Sequence, residues 1–218
     1  MNKNIFVACD TTNILKVKKI IKHTQTKKLK IGYKFGLEFL NSKRGRSFVS
    51  KLKNKIIFLD LKLNDIPNTC ISAVKAIKDL KINYLTIHIS SGLDALKAVK
   101  KISGKIKIVG VSTLTSLNDK KLKQTGHTKS VKNLVIKQAR LATKANLDAL
   151  VCSAHEVSCI KGIFKKEIIT PGIRLNTKIN DQKRVMTPKK AFKEGSHWLV
   201  IGRSLTKGNI KNLIDHLS

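Results

Sequence analysis

IIFLDLKLNDIPNTC, residues 56 to 70, sets a run of apolar residues directly against a tight group of charges. Ile56, Ile57, Phe58 and Leu59 read as a fully buried strand, and the two-residue period of a strand puts Asp60 and Lys62 on one face. Asp65 follows where the strand ends. Pro67 suits a first helical turn, because its missing N–H would lack a partner there anyway. Two carboxylates and an ammonium at a strand end are costly unless they pair, so a purely structural site would carry fewer charges. D-x-K-x-x-D is nevertheless short, and taken alone it also fits a solvated loop with an incidental ion pair. The rest of the chain decides between the two.

Outward from this stretch, short apolar runs alternate with longer amphipathic segments. The runs are Ile5 to Cys9, Leu29 to Gly32, Ile56 to Leu61, Tyr84 to His88, Lys105 to Val111, Ala149 to Cys152, Glu167 to Thr170 and Trp198 to Ile201. Helical periodicity covers Ile14 to Ile21, Pro67 to Leu80, Leu93 to Ile102, Ser130 to Ala145 and Ile210 to Leu217. No linker or low-complexity segment interrupts the series. Successive strand–helix units of this kind predict an α/β protein, a single (β/α)8 TIM barrel over residues 1–218. Such a barrel carries its chemistry at the C-terminal ends of its strands. Those ends read Asp10, Tyr33-Lys34, Asp60-Leu61-Lys62, His88, Thr113 to Thr115, Ser153, Thr170-Pro171-Gly172 and Gly202-Arg203. Nearly all are polar, and their convergence on one rim points to a site. Trp198 and Tyr84 read as core, and His155 and Glu156 as cap and support for a helix.

Phosphate sites in these barrels commonly follow strands seven and eight. ITPGIR (169 to 174) brings a Pro-Gly turn and Arg174 there, and IGRS (201 to 204) brings Gly202 and Arg203. An arginine fork matches phosphate bidentately, and backbone N–H groups beside glycine can approach the same oxygens. The polar stretch from Leu175 to Met186 is long enough to close over a ligand.

Composition narrows the class. No apolar run reaches the ~18 residues of a membrane span, and MNKNIFVACD enters a strand without a cleavable signal pattern. Cys9, Cys70, Cys152 and Cys159 show neither CxxC nor Cys/His metal spacing, as in a reduced, cytoplasmic protein. The net charge of +32 invites a nucleic-acid or polyanion reading. Yet six of the 45 basic residues are arginine, the lysines spread from Lys3 to Lys211, and only 5% of the chain is aromatic. Nucleic-acid modules cluster their charge and interleave aromatics. The excess is diffuse, so polyanion binding stands as the reading from outside the enzyme class.

The residues resemble the orotidine 5′-phosphate decarboxylases over essentially the whole chain. The resemblance rests on FVACD (6 to 10), IGYKFGLEF (31 to 39), FLDLKLNDIPNT (58 to 69), LTS (114 to 116), LVCSAHE (150 to 156), ITPGIR, DQKRVMTP (181 to 188) and LVIGRSLTK (199 to 207). One departure is HISSG (88 to 92), where that family usually carries a second glycine in place of Ser91; it bears on the backbone after strand four. The resemblance implies that orotidine 5′-phosphate loses CO2 to give UMP, in pyrimidine biosynthesis and without a metal or organic cofactor. It makes Lys62 the proton donor and Asp60 the carboxylate beside the leaving group. Lys34 completes the charged array, with Asp10 and Lys34 on the ribose and Thr115 on the pyrimidine. Arg174, Gln182, Gly202 and Arg203 hold the phosphate. Asp65 and Thr69 reach across a homodimer interface into the partner's site. The nearest rival is a sugar-phosphate decarboxylase or aldolase of the same barrel superfamily using Mg2+. Those enzymes share D-x-K-x-x-D but lack the I-P-N-T that follows here, and they carry an extra acidic residue for the metal.

Overall fold

The computed structural model describes residues 3–174, 186–206 and 210–217. Its strands are β1 (Asn4–Ala8), β2 (Lys30–Gly36), β3 (Ile56–Leu63), β4 (Tyr84–His88), β5 (Lys107–Val111), β6 (Ala149–Val151), β7 (Glu167–Thr170) and β8 (Trp198–Ile201). Each pairs in parallel with the next, and β8 returns to β1, closing the barrel. The (β/α)8 expectation holds.

Alternation along the strands sorts side chains into two cores. Phe6, Phe58, Tyr84, Val109, Ala149, Ile169, Trp198 and Val200 form a cluster inside the barrel. Their neighbours, such as Ile5, Val7, Leu59, Leu85, Ile108 and Leu199, belong to a separate cluster that meets the helices. The lower interior is aromatic: Phe6 stacks on Trp198 with ring centroids 4.0 Å apart and meets Phe58 at 4.8 Å and Tyr84 at 5.1 Å. Gly32 on β2 makes the room, since a Cβ there would lie 2.6 Å from a ring carbon of Phe6. Below this layer Lys107 donates to Glu167 at 2.6 Å, and the Tyr84 hydroxyl donates to the same carboxylate at 2.9 Å.

Helices cover the barrel by their apolar stripes. In Ile14–His23 the buried residues are Val17, Ile20 and Ile21, and the Asn13 side chain caps the first turn by accepting from the Lys16 N–H at 3.0 Å. Ser130 caps Val131–Lys144 in the same way. The predicted helix from Pro67 to Leu80 is shorter than expected: it ends at Ala76, and a 3-10 turn at Lys78–Leu80 follows. Several short helices, among them Leu37–Leu40, Gly45–Ser50 and Arg203–Thr206, are too brief to show periodicity in sequence. None of the four cysteines is in a disulfide. Among the described residues no helix is long and apolar enough to cross a membrane.

Candidate active site

Three strands deliver a chain of charges to the C-terminal mouth of the barrel. Asp10 follows β1, Lys34 lies on β2, and Asp60 and Lys62 lie on β3. Lys34 Nζ donates to Asp10 Oδ1 at 3.1 Å and stands 3.4 Å from Asp60 Oδ2, which Lys62 Nζ approaches to 2.8 Å. Both ammonium groups therefore converge on one carboxylate oxygen. The Lys34 and Asp60 side chains are only 11% and 14% exposed, so these charges interact with little screening. Burial alone would raise the pKa of Asp60, but the Lys34 and Lys62 ammonium groups outweigh it and hold the carboxyl below its ordinary value. For Lys34 burial pulls the other way, and Asp60 and then Asp10 carry the ammonium above the ordinary lysine value. Nearby, burial and then the Lys62 charge lower the pKa of His88, which favours neutral imidazole.

The strand that carries Asp60 and Lys62 is not regular. The β3–β4 ladder pairs Leu59 with Leu85 and next pairs Leu63 with Ile87, leaving Thr86 opposite Asp60, Leu61 and Lys62. This is a bulge, and Lys62 absorbs part of it by taking φ 52°. For a residue with a Cβ the left-handed region costs about 1–2 kcal/mol.

A cavity of about 530 Å³ opens over this centre. Asp10, Lys34, Asp60, Lys62, Thr115, Arg174, Gly202 and Arg203 all line it. Ala8, Phe58, Val111, Val151 and Val200 supply an apolar floor. The strand-end backbone around Arg174 is pinned: its N–H donates to the Met186 carbonyl at 3.2 Å, and Ile173 bridges Met186. Gln182 lies outside the described residues, as does the expected closing stretch apart from Met186. Asp65 and Thr69 do not line the cavity of their own chain. The Asp65 carboxylate accepts instead from the Ile66 N–H at 2.7 Å, on an exposed turn. Among the described residues no group of three His, Cys, Asp or Glu side chains is placed to hold a metal ion.

Known proteins resemble this chain over most of its length. The model of the orotidine 5′-phosphate decarboxylase / HUMPS family matches residues 3–211. The chain belongs to that family. Proteins named orotidine 5′-phosphate decarboxylase include one from Wolbachia sp. subsp. Brugia malayi (strain TRS), 42% identical over 94% of this chain and 92% of that protein. Another, from Wolbachia pipientis subsp. Culex pipiens (strain wPip), is 45% identical over 81% of this chain and 80% of that protein. The crystal structure of orotidine 5′-phosphate decarboxylase from Lactobacillus acidophilus superposes with a TM-score of 0.84 at 28% identity, covering all of both chains.

Not every polar strand end of this orotidine 5′-phosphate decarboxylase / HUMPS barrel faces the cavity. Tyr33 points outward, and its hydroxyl donates to the Ile21 carbonyl at 3.2 Å. Thr170 is fully buried, with its hydroxyl 2.7 Å from that of Ser196. Both sit at outward positions, which the alternation of their strands settles. Ser91, the departure from the family pattern, is absorbed locally: its hydroxyl donates to Asn64 Oδ1 at 3.1 Å, and Gly92 takes the positive φ of 85°. Ser91 thus ties the turn after β4 to the turn that carries Asp65. Thr86, unremarked among the strand ends, lies directly against the charged centre. Its inward position two residues before His88 was the available signal.

Proposed function

We propose that this protein decarboxylates orotidine 5′-phosphate to UMP and CO2 in pyrimidine biosynthesis, in the cytoplasm and without a cofactor. The observation that carries the reading is the continuous Asp10–Lys34–Asp60–Lys62 chain sharing one cavity with Arg174 and Arg203. The relatives' names support the substrate.

The chemistry requires this kind of site. Loss of CO2 from C6 of the pyrimidine leaves an in-plane carbanion whose orbital cannot conjugate with the ring carbonyls. Stabilisation must then be electrostatic and preorganised. Lys62 faces the developing charge and delivers its proton to C6. Asp60 fixes Lys62 and stands beside the departing carboxylate. Lys34 and Asp10 hold the ribose, Thr115 contacts the pyrimidine, and Arg174, Gln182, Gly202 and Arg203 hold the phosphate. Binding energy from the distant phosphate seats the ring against the charges.

Within one chain it is Lys34, between Asp10 and Asp60, that has carboxylates on two sides. In this reading the second carboxylate for Lys62 is Asp65 of another copy, with Thr69 beside it, in a two-fold homodimer. Ile66 next to Asp65 is 66% exposed and Leu37 at the mouth is 52% exposed, apolar surface of the kind an apposed copy covers.

The deciding experiment is the loss of orotidine 5′-phosphate absorbance with purified protein in EDTA. Turnover unaffected by the chelator is expected. No turnover sinks the reading, and activity that returns only with Mg2+ favours the sugar-phosphate class.

A further inference from the structure

We propose that Thr86 is a positioning residue for the decarboxylation, holding the Lys62 backbone and the Asp60 carboxylate in register through one hydroxyl. The inference deepens the proposed function and rests on the roles assigned there to Asp60 and Lys62.

The bulge in β3 creates the need. Between the Leu59–Leu85 and Leu63–Ile87 pairs, backbone groups of three β3 residues face a single β4 residue, so the regular ladder is broken there. An N–H freed in a barrel interior must find another acceptor or carry a desolvation cost. Lys62 N–H finds the Thr86 hydroxyl, donating to Oγ1 at 2.7 Å. A hydroxyl has one proton to give, and Thr86 gives it to Asp60 Oδ1 at 3.2 Å. The other oxygen of the same carboxylate, Oδ2, is left for Lys62 at 2.8 Å and Lys34 at 3.4 Å.

The result is a closed circuit: Lys62 N–H to Thr86, Thr86 to Asp60, Asp60 to the Lys62 ammonium. Thr86 is wholly buried, so water does not substitute at the hydroxyl. Its β-branch also leaves few rotamers, which fixes where the oxygen points. The left-handed Lys62 backbone is thereby tied to the direction in which Asp60 presents its charge. A valine would fill the same space on a β-strand and satisfy neither group. An ordinary stabilising role would lower stability alone; a positioning role also lowers kcat.

The test compares Thr86→Val with Thr86→Ser. Valine should lower kcat about tenfold or more, the scale of one hydrogen bond to a charged group, with KM within about threefold of wild type. Serine restores the hydroxyl and should return kcat to within about threefold. A valine protein with kcat within about twofold of wild type, or a serine protein as slow as valine, overturns the proposal. Should the valine protein fail to fold, Thr86→Cys replaces it, because a thiol keeps the shape of serine but bonds weakly. Equal kcat for the cysteine and serine proteins then overturns it. Turnover by the wild type is the separate check on the proposed function. If that is absent, the NMR titration of the Asp60 carboxyl in ligand-free protein still decides the role of Thr86. Removing the hydroxyl should move its pKa upward, and no movement overturns the proposal.

Discussion

The Lys62 ammonium lies 2.8 Å from Asp60 Oδ2, yet the backbone that carries it departs from extended geometry within β3, with φ 52° at Lys62. Local strain of this kind is retained where surrounding structure over-determines it, and functional sites are where it gathers.

Lys62→Ala keeps the barrel, because the side chain is 36% exposed and fills no core. Decarboxylation should fall by about 10²- to 10⁴-fold or more, the range for loss of a positioned proton donor. Circular dichroism checks the fold, and substantial residual turnover would assign the proton to another group.

Arg203 lines the same cavity as the charged chain. Arg203→Ala should weaken UMP about ten- to a hundredfold, from a charge-assisted contact of about 1.5–3 kcal/mol, while uridine binding changes little. Calorimetry with both ligands reads the difference. Equal losses place the phosphate elsewhere.

The direction of Asp65 away from its own cavity gives a test by mixing. Lys62→Ala and Asp65→Ala proteins, each nearly inactive, are unfolded together and reassembled. A mixed two-fold dimer holds one site with both lesions and one with neither. Random pairing makes about half the dimers mixed, so activity should return to about a quarter of wild type. Confirmed mixed dimers without activity would mean that Asp65 serves its own chain.

Stability should fall at both ends of the pH scale. Asp60 has a folded pKa below its ordinary 3.8, so its contribution is complete above that value and disappears as pH falls through the folded pKa. Lys34 has a folded pKa above its ordinary 10.5, so its contribution is complete below that value and disappears as pH rises through the folded pKa. Asp60→Asn should lower the neutral plateau, flatten the acid limb and shrink the alkaline fall, because Lys34 loses the larger of the two charges that raise its folded pKa. Urea unfolding across the range measures all three, and an acid limb as steep as in wild type would count against the Asp60 assignment.

The diffuse lysine surface should bind DNA or heparin weakly near physiological salt and leave UMP affinity unchanged. Tight, sequence-selective binding measured at that salt would restore the nucleic-acid reading.

Strand count, barrel class and the Asp60–Lys62 core were legible because apolar runs and charge spacing report burial directly. Strand β2 was legible only to Gly32, although it runs to Gly36. A glycine and an inward lysine look like a strand end in one dimension. The missing side chain is room for the Phe6 ring, and Lys34 is inside because the cavity is there. The bulge at Lys62 was invisible for a related reason: two-residue alternation predicts the same face for Asp60 and Lys62 whether or not the ladder is broken. Only the partner strand, through Leu85 and Ile87, reveals the extra residues.

The stacked rings of Phe6 and Trp198, with Phe58 and Tyr84 around them, stop the barrel axis beneath the cavity. The reaction chamber is thus a blind well. In the proposed reaction, carbon dioxide would leave by the opening through which the nucleotide arrives. Release of the gas and of UMP would then share one doorway.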